Sequence, residues 1–349
     1  MKKLTLMASA IIMAWSSCMS TAAANNIERT EARTYKNPVT RSSLPDPTLI
    51  RANDGYFYLY ATEDTRNMPI WRSRNLVDWA FVGTAFTDAT RPKCIRPGIN
   101  SMWAPDINYI NGQYVLYYSI GRAAWDIYPE LGFGVATSER PEGPFVDRGV
   151  VFMGVEYGQG HSSIDQFYIE EDGKKYLIWG CYTGIYIVQL TNDGLRKMPG
   201  ATATKIVSDK MMVEGSYVYK RNGYYYLVCS HGACCDNVEV NKYKIVYGRA
   251  KSLFGPYETK DGRRMLDGPD NYEELIVGND YCAGPGHNAE WVDDDNGDTW
   301  IVYHGYLKSQ PALGRVLWLD QVKWRDDWPY VEGGSPSRSS KAPYFKDAR

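Results

Sequence analysis

An all-β chain, folded as a single-domain five-bladed β-propeller, is the fold class that this sequence predicts. Two observations support the prediction: one pattern recurs five times along the chain, and a second pattern stands between some of the copies. No segment shows the 3.6-residue periodicity of an amphipathic helix over a useful length. Self-similarity of this kind is the sequence signature of a fold built from repeated units.

Each copy of the first pattern starts with an acidic or polar residue, runs into a short apolar strand, and turns at a glycine into an aromatic-rich strand. Asn-Gly or Asp-Gly between two alternating apolar runs is a strong hairpin signal. The copies are DPTLIRANDGYFYLY from Asp46, DINYINGQYVLYY from Asp106, DQFYIEEDGKKYLIW from Asp165, EGSYVYKRNGYYYLV from Glu214 and HNAEWVDDDNGDTWIVYH from His287.

The second pattern predicts the outer strands of the same units. It appears as GVATSERPEGPFVDRG over residues 134–149, as VYGRAKSLFGPYETKDG over 246–262, and in a shorter form, IWRSRNLVDW, over 70–79. Two hairpins make a four-stranded sheet, and five such sheets make a five-bladed propeller. Because the first strand of each blade lines the central channel, equivalent residues are expected to meet around one axis. Those residues are Asp46, Asp106, Asp165, Glu214 and His287.

Residues 1–24 predict a secretory signal peptide, which leaves residues 25–349 for the propeller domain. Lys2 and Lys3 precede an apolar run that is too short to span a membrane, and alanines near the end offer a cleavage site. The chain is therefore expected to be exported to a periplasmic, cell-surface or extracellular location. Lipidation of Cys18 is an alternative that would attach the chain to a membrane, although the residues before it fit a lipoprotein pattern poorly.

Charge and cysteine usage narrow the class of partner. Removing the leader lowers Lys+Arg from 39 to 37 against 41 Asp+Glu, so the net charge moves from −2 to −4. No basic stripe is present that could neutralise phosphates, so nucleic acid is not expected as a partner and a neutral substrate is favoured. The cysteines after the leader show no metal-binding spacing. Adjacent Cys234 and Cys235 are more often a packing feature than a disulfide, and the sequence does not determine how the cysteines pair.

The acids at the repeat position have the chemistry of a glycosidase. Glycoside hydrolysis uses two carboxyl groups that flank the scissile bond, one protonated and one ionised. A single acid at the start of a strand is common, but several in phase around one axis repel each other, which raises some pKa values and indicates use. Glu214, with the longer side chain, is predicted to be the general acid and Asp46 the general base. Asp165 is predicted to orient Glu214 and raise its pKa.

These residues lie in a set of motifs that resembles glycoside hydrolase family 43 over nearly all of the chain after the leader. The motifs are Asp46-Pro47, Trp103-Ala104-Pro105-Asp106, Ile164-Asp165, Val213-Glu214-Gly215 and Gly284-Pro285-Gly286-His287-Asn288. The resemblance implies a five-bladed propeller and an inverting mechanism, with carboxyl groups far enough apart to admit a water. It also implies the same roles for the three acids.

Within the family, the chain is most similar to the endo-1,5-α-L-arabinanases, which implies hydrolysis of α-1,5-linked arabinan in plant cell-wall polysaccharide. This narrower likeness rests on the segment from Lys220 to Gly268. Two departures leave the linkage open: residues 236–242 lack a Gly-Ser-rich stretch, and Gln166 stands where Pro is common. An exo-acting β-xylosidase or α-L-arabinofuranosidase of the same family is one alternative. A carbohydrate-binding propeller without catalysis is another.

Further side chains are candidates for the site. Trp103 is predicted to stack on a sugar face, Arg315 to hydrogen-bond a sugar hydroxyl or pack at the core rim, and Asp106 to orient substrate or support the fold. The resemblance implies that His287 helps to hold a central calcium ion, completed mostly by water because calcium prefers oxygen ligands. A core histidine is the alternative. His304 is expected to be structural, and no organic cofactor is expected.

Overall fold

Strands and short helical turns make up the secondary structure in the part of the chain that the computed structural model describes, residues 33–121, 131–157, 163–235 and 238–346. By its contacts, Thr34–Arg349 forms one compact unit. The predicted signal peptide and Cys18 lie outside the described residues. None of the helical turns described has the length and apolar character that a membrane crossing requires.

Five antiparallel sheets follow one another along the chain, each with its strands in sequence order apart from one short extra strand in the last. They are the five blades of the predicted propeller, which is confirmed. The strands of blades 1 to 3 are β2–β5 (Thr48–Arg51, Phe57–Tyr60, Pro69–Ser73, Ala80–Thr84), β6–β9 (Met102–Ile110, Gln113–Ile120, Gly132–Ser138, Val146–Met153) and β10–β13 (Phe167–Glu171, Lys174–Trp179, Ile185–Gln189, Thr204–Val207). Those of blades 4 and 5 are β14–β17 (Val213–Arg221, Tyr224–His231, Lys244–Ala250, Glu273–Ile276) and β18–β22 (Cys282–Gly286, Val292–Asp293, Thr299–Leu307, Arg315–Arg325, Trp328–Val331).

The predicted hairpin turns are formed as the sequence indicates. In three blades the inner hairpin closes on two residues that both have a positive φ, between 50° and 85°, the geometry that Asn-Gly and Asp-Gly favour. These pairs are Asn111-Gly112, Asp172-Gly173 and Asn222-Gly223. The turns fix the register of each hairpin, and so they fix which inner-strand residues reach the channel.

The apolar core lies between neighbouring blades rather than within any one of them. Each of the four buried apolar clusters combines residues from at least two blades. Trp179 of β11 is an example: its ring centroid lies 5.0 Å from that of Phe152 and 6.0 Å from that of Phe133, both in the preceding blade. Burial of an aromatic side chain contributes about 2 kcal/mol or more, so these contacts hold adjacent blades face to face.

One inner-strand position repeats in all five blades and is marked by a left-handed backbone. The residues with this conformation have φ values of 52°, 39°, 60°, 58° and 42°, and they are Asp46, Ala104, Asp165, Gly215 and His287. The predicted common position therefore holds for Asp46, Asp165 and His287. It is wrong by one residue for Glu214, which precedes Gly215, and by two for Asp106, which follows Ala104. The repeated position is defined by its left-handed backbone conformation, and an acidic residue type does not mark it in every blade.

The same position carries a hydrogen bond between blades. In four blades the amide N–H of the left-handed residue donates to a side chain at the end of the second strand of the preceding blade, at 2.7 to 3.0 Å. The acceptors are Thr62 Oγ1, Ser119 Oγ, Ser230 Oγ and His304 Nδ1. Blade 4 departs from this rule, because Gly215 N–H donates to Asp165 Oδ2 at 3.1 Å instead.

The first and last described strands close the ring. β1 (Thr34–Lys36) pairs in antiparallel fashion with β23 (Ser339–Lys341). Next to this pair, the Tyr35 hydroxyl and the Asn37 side-chain amide both donate to the carbonyl oxygen of Leu319 in β21, at 2.6 and 2.8 Å. The two ends of the described chain are therefore attached to each other and to blade 5.

Candidate active site

The three acids predicted to be catalytic come together at one end of the inner strands. Asp46 and Asp165 stand just before β2 and β10, and Glu214 is the second residue of β14. Asp165 and Glu214 are buried, whereas 13% of the Asp46 side chain is exposed. His287 of blade 5 lies between two of them, with Nδ1 3.4 Å from Asp46 Oδ1 and 3.7 Å from Asp165 Oδ2. Four blades thus supply one polar cluster at the channel.

Asp46 is held as a carboxylate. Arg315 Nη1 donates to its Oδ1 at 2.8 Å and Thr62 Oγ1 donates to its Oδ2 at 2.6 Å. Burial alone would raise the pKa of Asp46, but the positive charge of Arg315, with smaller contributions from His287 and His304, holds that pKa well below its usual range. An ionised carboxylate near the mouth can accept a proton from water.

Glu214 has the opposite environment. Tyr243 Oη donates to its Oε1 at 2.8 Å, and Cys181 Sγ lies 2.9 Å from its Oε2. Burial raises the pKa of Glu214 above its usual value and the negative charge of Asp46 adds to the effect, while the two hydrogen bonds and Arg315 oppose it. Glu214 therefore keeps its proton at a pH where an exposed glutamate has lost it.

Asp165 is coupled to Glu214. Burial raises the pKa of Asp165 well above its usual value, followed by the negative charges of Glu214 and Asp46. The amide of Gly215, which donates to Asp165 Oδ2, favours the ionised form. Two enclosed carboxyl groups that repel each other retain one proton between them.

Asp106 lies two residues after Ala104, the left-handed residue of its strand. Its partners differ from those of the three acids. Its Oδ2 accepts hydrogen bonds from the backbone amide of Tyr168 at 2.7 Å and from Asn108 Nδ2 at 2.9 Å. Its carboxyl group also hydrogen-bonds Glu290, which accepts from the Leu49 amide at 2.7 Å. Asp106 and Glu290 therefore link blades 2 and 5. Through the Tyr168 and Leu49 amides, the pair also binds the inner strands of blades 3 and 1.

The other two predicted substrate contacts lie beside the acids. Trp103 immediately precedes the left-handed Ala104, is partly exposed, and packs so closely over Gly121 that a Cβ there would lie 2.4 Å from the indole ring. The guanidinium group of Arg315 is engaged with Asp46. Contact of either side chain with a sugar stays a prediction.

The predicted calcium site does not fit a cage of protein ligands. Burial lowers the pKa of His287, which favours the neutral imidazole, and the charge of Asp46 opposes this shift. Among the described residues, no group of three or more His, Cys, Asp or Glu side chains is arranged to hold a metal ion. An ion completed mainly by water stays a prediction.

Sequence reasoning missed several residues of this site. His304 was expected to be structural only, yet its Nδ1 accepts the Asp46 amide at 3.0 Å and lies 3.3 Å from Asp46 Oδ1. Thr62 and Cys181 occupy the equivalent position in their blades, just after β3 and β11, and His304 lies within β20. An alignment of the second strands, in addition to the first, would have found them. Tyr243, which stands just before β16, has no repeat signal.

One prediction about cysteines is wrong. Cys234 and Cys235 form a disulfide in the segment that follows β15, and Cys235 adopts a positive φ of 69°. The expectation of simple packing relied on the rarity of bonds between adjacent cysteines and ignored the backbone conformation of the segment. Residues 236–237 lie outside the described part of the chain.

Comparison with known proteins adds a family to this geometry. Residues 35–329 match the model of glycosyl hydrolases family 43. The extracellular endo-α-(1→5)-L-arabinanase 1 of Bacillus subtilis is 29% identical over 293 residues, which cover 82% of this chain and 87% of that protein. The extracellular exo-α-(1→5)-L-arabinofuranosidase of Cellvibrio japonicus is 28% identical, over 82% of this chain and 86% of its own length.

A solved structure shows the same fold. The α-L-arabinanase of Cellvibrio cellulosa in complex with arabinohexaose superposes with a TM-score of 0.72 at 27% identity, over 84% of this chain and 97% of that one.

Proposed function

This chain belongs to glycosyl hydrolase family 43, and we propose that it hydrolyses α-1,5-linked arabinan with inversion at the anomeric carbon. The observation that supports the reaction best is the contrast between two carboxyl groups at one end of the channel: Asp46 is held ionised and Glu214 protonated. The names of the similar proteins support arabinan as the substrate. Because two of those names include "extracellular", we also propose that the chain acts outside the cytoplasm.

The proposed chemistry is a single displacement. Asp46 accepts a proton from a water molecule as the water oxygen bonds to the anomeric carbon of an arabinofuranosyl unit. At the same time Glu214 gives its proton to the glycosidic oxygen, and the bond from that oxygen to the anomeric carbon breaks. The reaction leaves Asp46 protonated and Glu214 ionised, and exchange of one proton with solvent restores both.

The surrounding groups fit these two roles. Arg315 and Thr62 hold both oxygens of Asp46, so the base has a fixed orientation. Asp165 sits beside Glu214 as a negative group that opposes its ionisation, which is the modulator role predicted from the sequence. Retention of the three acids in these environments also favours an enzyme over a carbohydrate-binding propeller without catalysis.

Exo action is the second candidate, supported by the relative that is named an exo-acting arabinofuranosidase. The two modes differ in their products. Endo cleavage of linear arabinan releases oligomers of mixed length from the start, whereas exo cleavage releases one small product of constant length.

The test of the proposal is a comparison of purified protein on linear arabinan, branched arabinan, xylan and aryl pentosides. We expect hydrolysis of linear arabinan, and we expect proton NMR of the first product to show the β anomer. Glu214→Gln is the control for contaminating activity. Absence of turnover on linear arabinan, or a first product with the α configuration, would overturn the proposal.

A further inference from the structure

We propose that Cys181 is a positioning residue for the general acid, with its thiol holding one oxygen of the Glu214 carboxyl group. The inference rests on the proposed role of Glu214 and adds a residue that the three-acid description lacks. It starts from the single break in the repeat of hydrogen bonds between blades.

The break concerns the end of the second strand of blade 3. At the equivalent position in the other four blades, a hydroxyl or imidazole side chain accepts the amide N–H of the left-handed residue in the next blade. Cys181 occupies this position in blade 3, but the Gly215 amide that it would serve donates to Asp165 Oδ2. The Cys181 thiol therefore contacts the carboxyl group of Glu214 in the next blade instead of a backbone amide. Between blades 3 and 4, Asp165 accepts the hydrogen bond of the Gly215 amide and Glu214 accepts that of the Cys181 thiol. In the other blades, the side chain at the position of Cys181 accepts the amide directly.

The geometry fixes the acid at both oxygens. Cys181 Sγ lies 2.9 Å from Glu214 Oε2, and Tyr243 Oη lies 2.8 Å from Oε1. The terminal torsion of a glutamate side chain is otherwise broad, so two donors on opposite oxygens select one orientation. Cys181 is buried, with 4% of its surface exposed. Burial, and then the charge of Glu214, raise the pKa of this thiol above its usual value, so it stays a donor.

The choice of sulfur has a chemical consequence. A thiol is a weaker hydrogen-bond donor than a hydroxyl, so it stabilises the carboxylate form of Glu214 less than serine would in the same place. The other groups that face Glu214 are the Tyr243 hydroxyl, the carboxyl groups of Asp46 and Asp165, and the Arg315 guanidinium. Among them, Cys181 orients the Glu214 carboxyl group and stabilises its ionised form only weakly. Both properties suit a general acid, which has to keep its proton until the reaction.

The kinetic test uses Cys181→Ala and Cys181→Ser, with Cys94→Ala as the matched control. Cys94 is another buried thiol, and it contacts the Tyr118 hydroxyl at 3.7 Å instead of a catalytic acid. For Cys181→Ala we expect kcat on linear arabinan to fall about tenfold with little change in KM, because part of the benefit of general acid catalysis is lost. With a 2,4-dinitrophenyl arabinofuranoside, whose leaving group needs no proton, we expect less than about a twofold loss.

Cys181→Ser supplies a second kinetic readout. It should keep the orientation and move the alkaline limb of the kcat/KM profile to lower pH, because the stronger donor favours the carboxylate. Equal fractional losses on both substrates for Cys181→Ala, or an unchanged alkaline limb for Cys181→Ser, would overturn the proposal. So would the same kinetic pattern in Cys94→Ala.

A measurement without substrate separates this inference from the proposed function. The S–H stretching band of Cys181, identified by its loss in Cys181→Ser, should shift to higher frequency in Glu214→Ala, where the thiol has lost its acceptor. A band that does not move would show that the contact is absent, whatever the enzyme hydrolyses. A protein that shows the shift but does not act on arabinan would contradict the proposed function and leave the contact supported.

Discussion

Two pairs of carboxyl groups lie along the same channel, and their partners give them different tasks. Asp165 and Glu214 share the channel end with Asp46, whose charge is balanced by Arg315. Asp106 and Glu290 hydrogen-bond each other and otherwise accept from backbone amides and short polar side chains of neighbouring blades. Residue type is the same in both pairs. What differs, among the residues that the structure describes, is the presence of an ionised acid and a cation beside the first pair only.

The comparison also shows that a carboxyl pair with one shared proton can serve either structure or catalysis. Burial raises the pKa of Asp106 well above its usual value, and the charge of Glu290 adds to it; burial likewise raises the pKa of Glu290. A carboxyl pair that retains one proton is a neutral, hydrogen-bonded unit and can hold blades together. The same unit next to a general base can release its proton to a substrate.

The largest effect is expected from Glu214→Gln and Asp46→Asn. Each removes one half of the proton transfer, so kcat/KM on linear arabinan should fall by about 10³-fold or more. Initial rates of reducing-end release measure this, with thermal melting as the control for folding. Asp46→Asn should also melt earlier than Glu214→Gln, because it leaves the buried charge of Arg315 without a partner. Either variant retaining a tenth of the wild-type rate would contradict the assignment.

A smaller effect is expected from Asp165→Asn. The substitution removes a negative charge next to Glu214, so the raised pKa of Glu214 should fall and the alkaline limb of the kcat/KM profile should move to lower pH. We expect a loss of about 10²-fold near neutral pH. Asp106→Asn is the matched control from the second pair, and its alkaline limb should coincide with that of the wild type. A limb that moves in both variants would remove the distinction between the pairs.

The second pair should affect stability and leave catalysis in place. Glu290→Ala removes the acceptor of the Leu49 amide and of the Thr48 hydroxyl and leaves Asp106 without its carboxyl partner. Unsatisfied enclosed groups cost about 1–3 kcal/mol each, so the urea midpoint should fall clearly. The rate on linear arabinan at low temperature should stay within about twofold of wild type. A specific loss of turnover without a change in the urea midpoint would place this pair in the chemistry.

The smallest effect is expected from chelation. An ion next to His287 that is completed mostly by water binds through few protein contacts, so EDTA should lower the melting temperature by only a few degrees, about the linkage of one weak ligand. His287→Ala should remove the response to EDTA. Identical melting curves with and without EDTA would make His287 a core histidine.

The fold was predictable because its signals are local. Asn-Gly and Asp-Gly turns fix the hairpins, and aromatic alternation fixes which strand faces the core, so the five blades follow from short segments of sequence. The acids Asp46 and Asp165 were found for the same reason, since each precedes an inner strand. Glu214 was found by its phase within one residue, because side-chain reach compensates for a shift of that size.

The remaining site residues depend on contacts between blades, which no short segment records. His304 and Cys181 contact acids of the next blade, and Glu290 of blade 5 hydrogen-bonds Asp106 of blade 2. Their positions follow only after the ring is closed. The disulfide between Cys234 and Cys235 was missed because it depends on a local left-handed backbone that the neighbouring residues do not specify.

The pairing of β1 with β23 determines when, during synthesis, the fold can be completed. A ribosome delivers Thr34 early and Lys341 near the end, so the ladder between them forms only when almost the whole described polypeptide has been made. Asp46, the proposed general base, follows β1 closely and hydrogen-bonds Arg315 and His304 of blade 5. A nascent or truncated chain that lacks the last blade therefore has Asp46 without the cation that balances its charge.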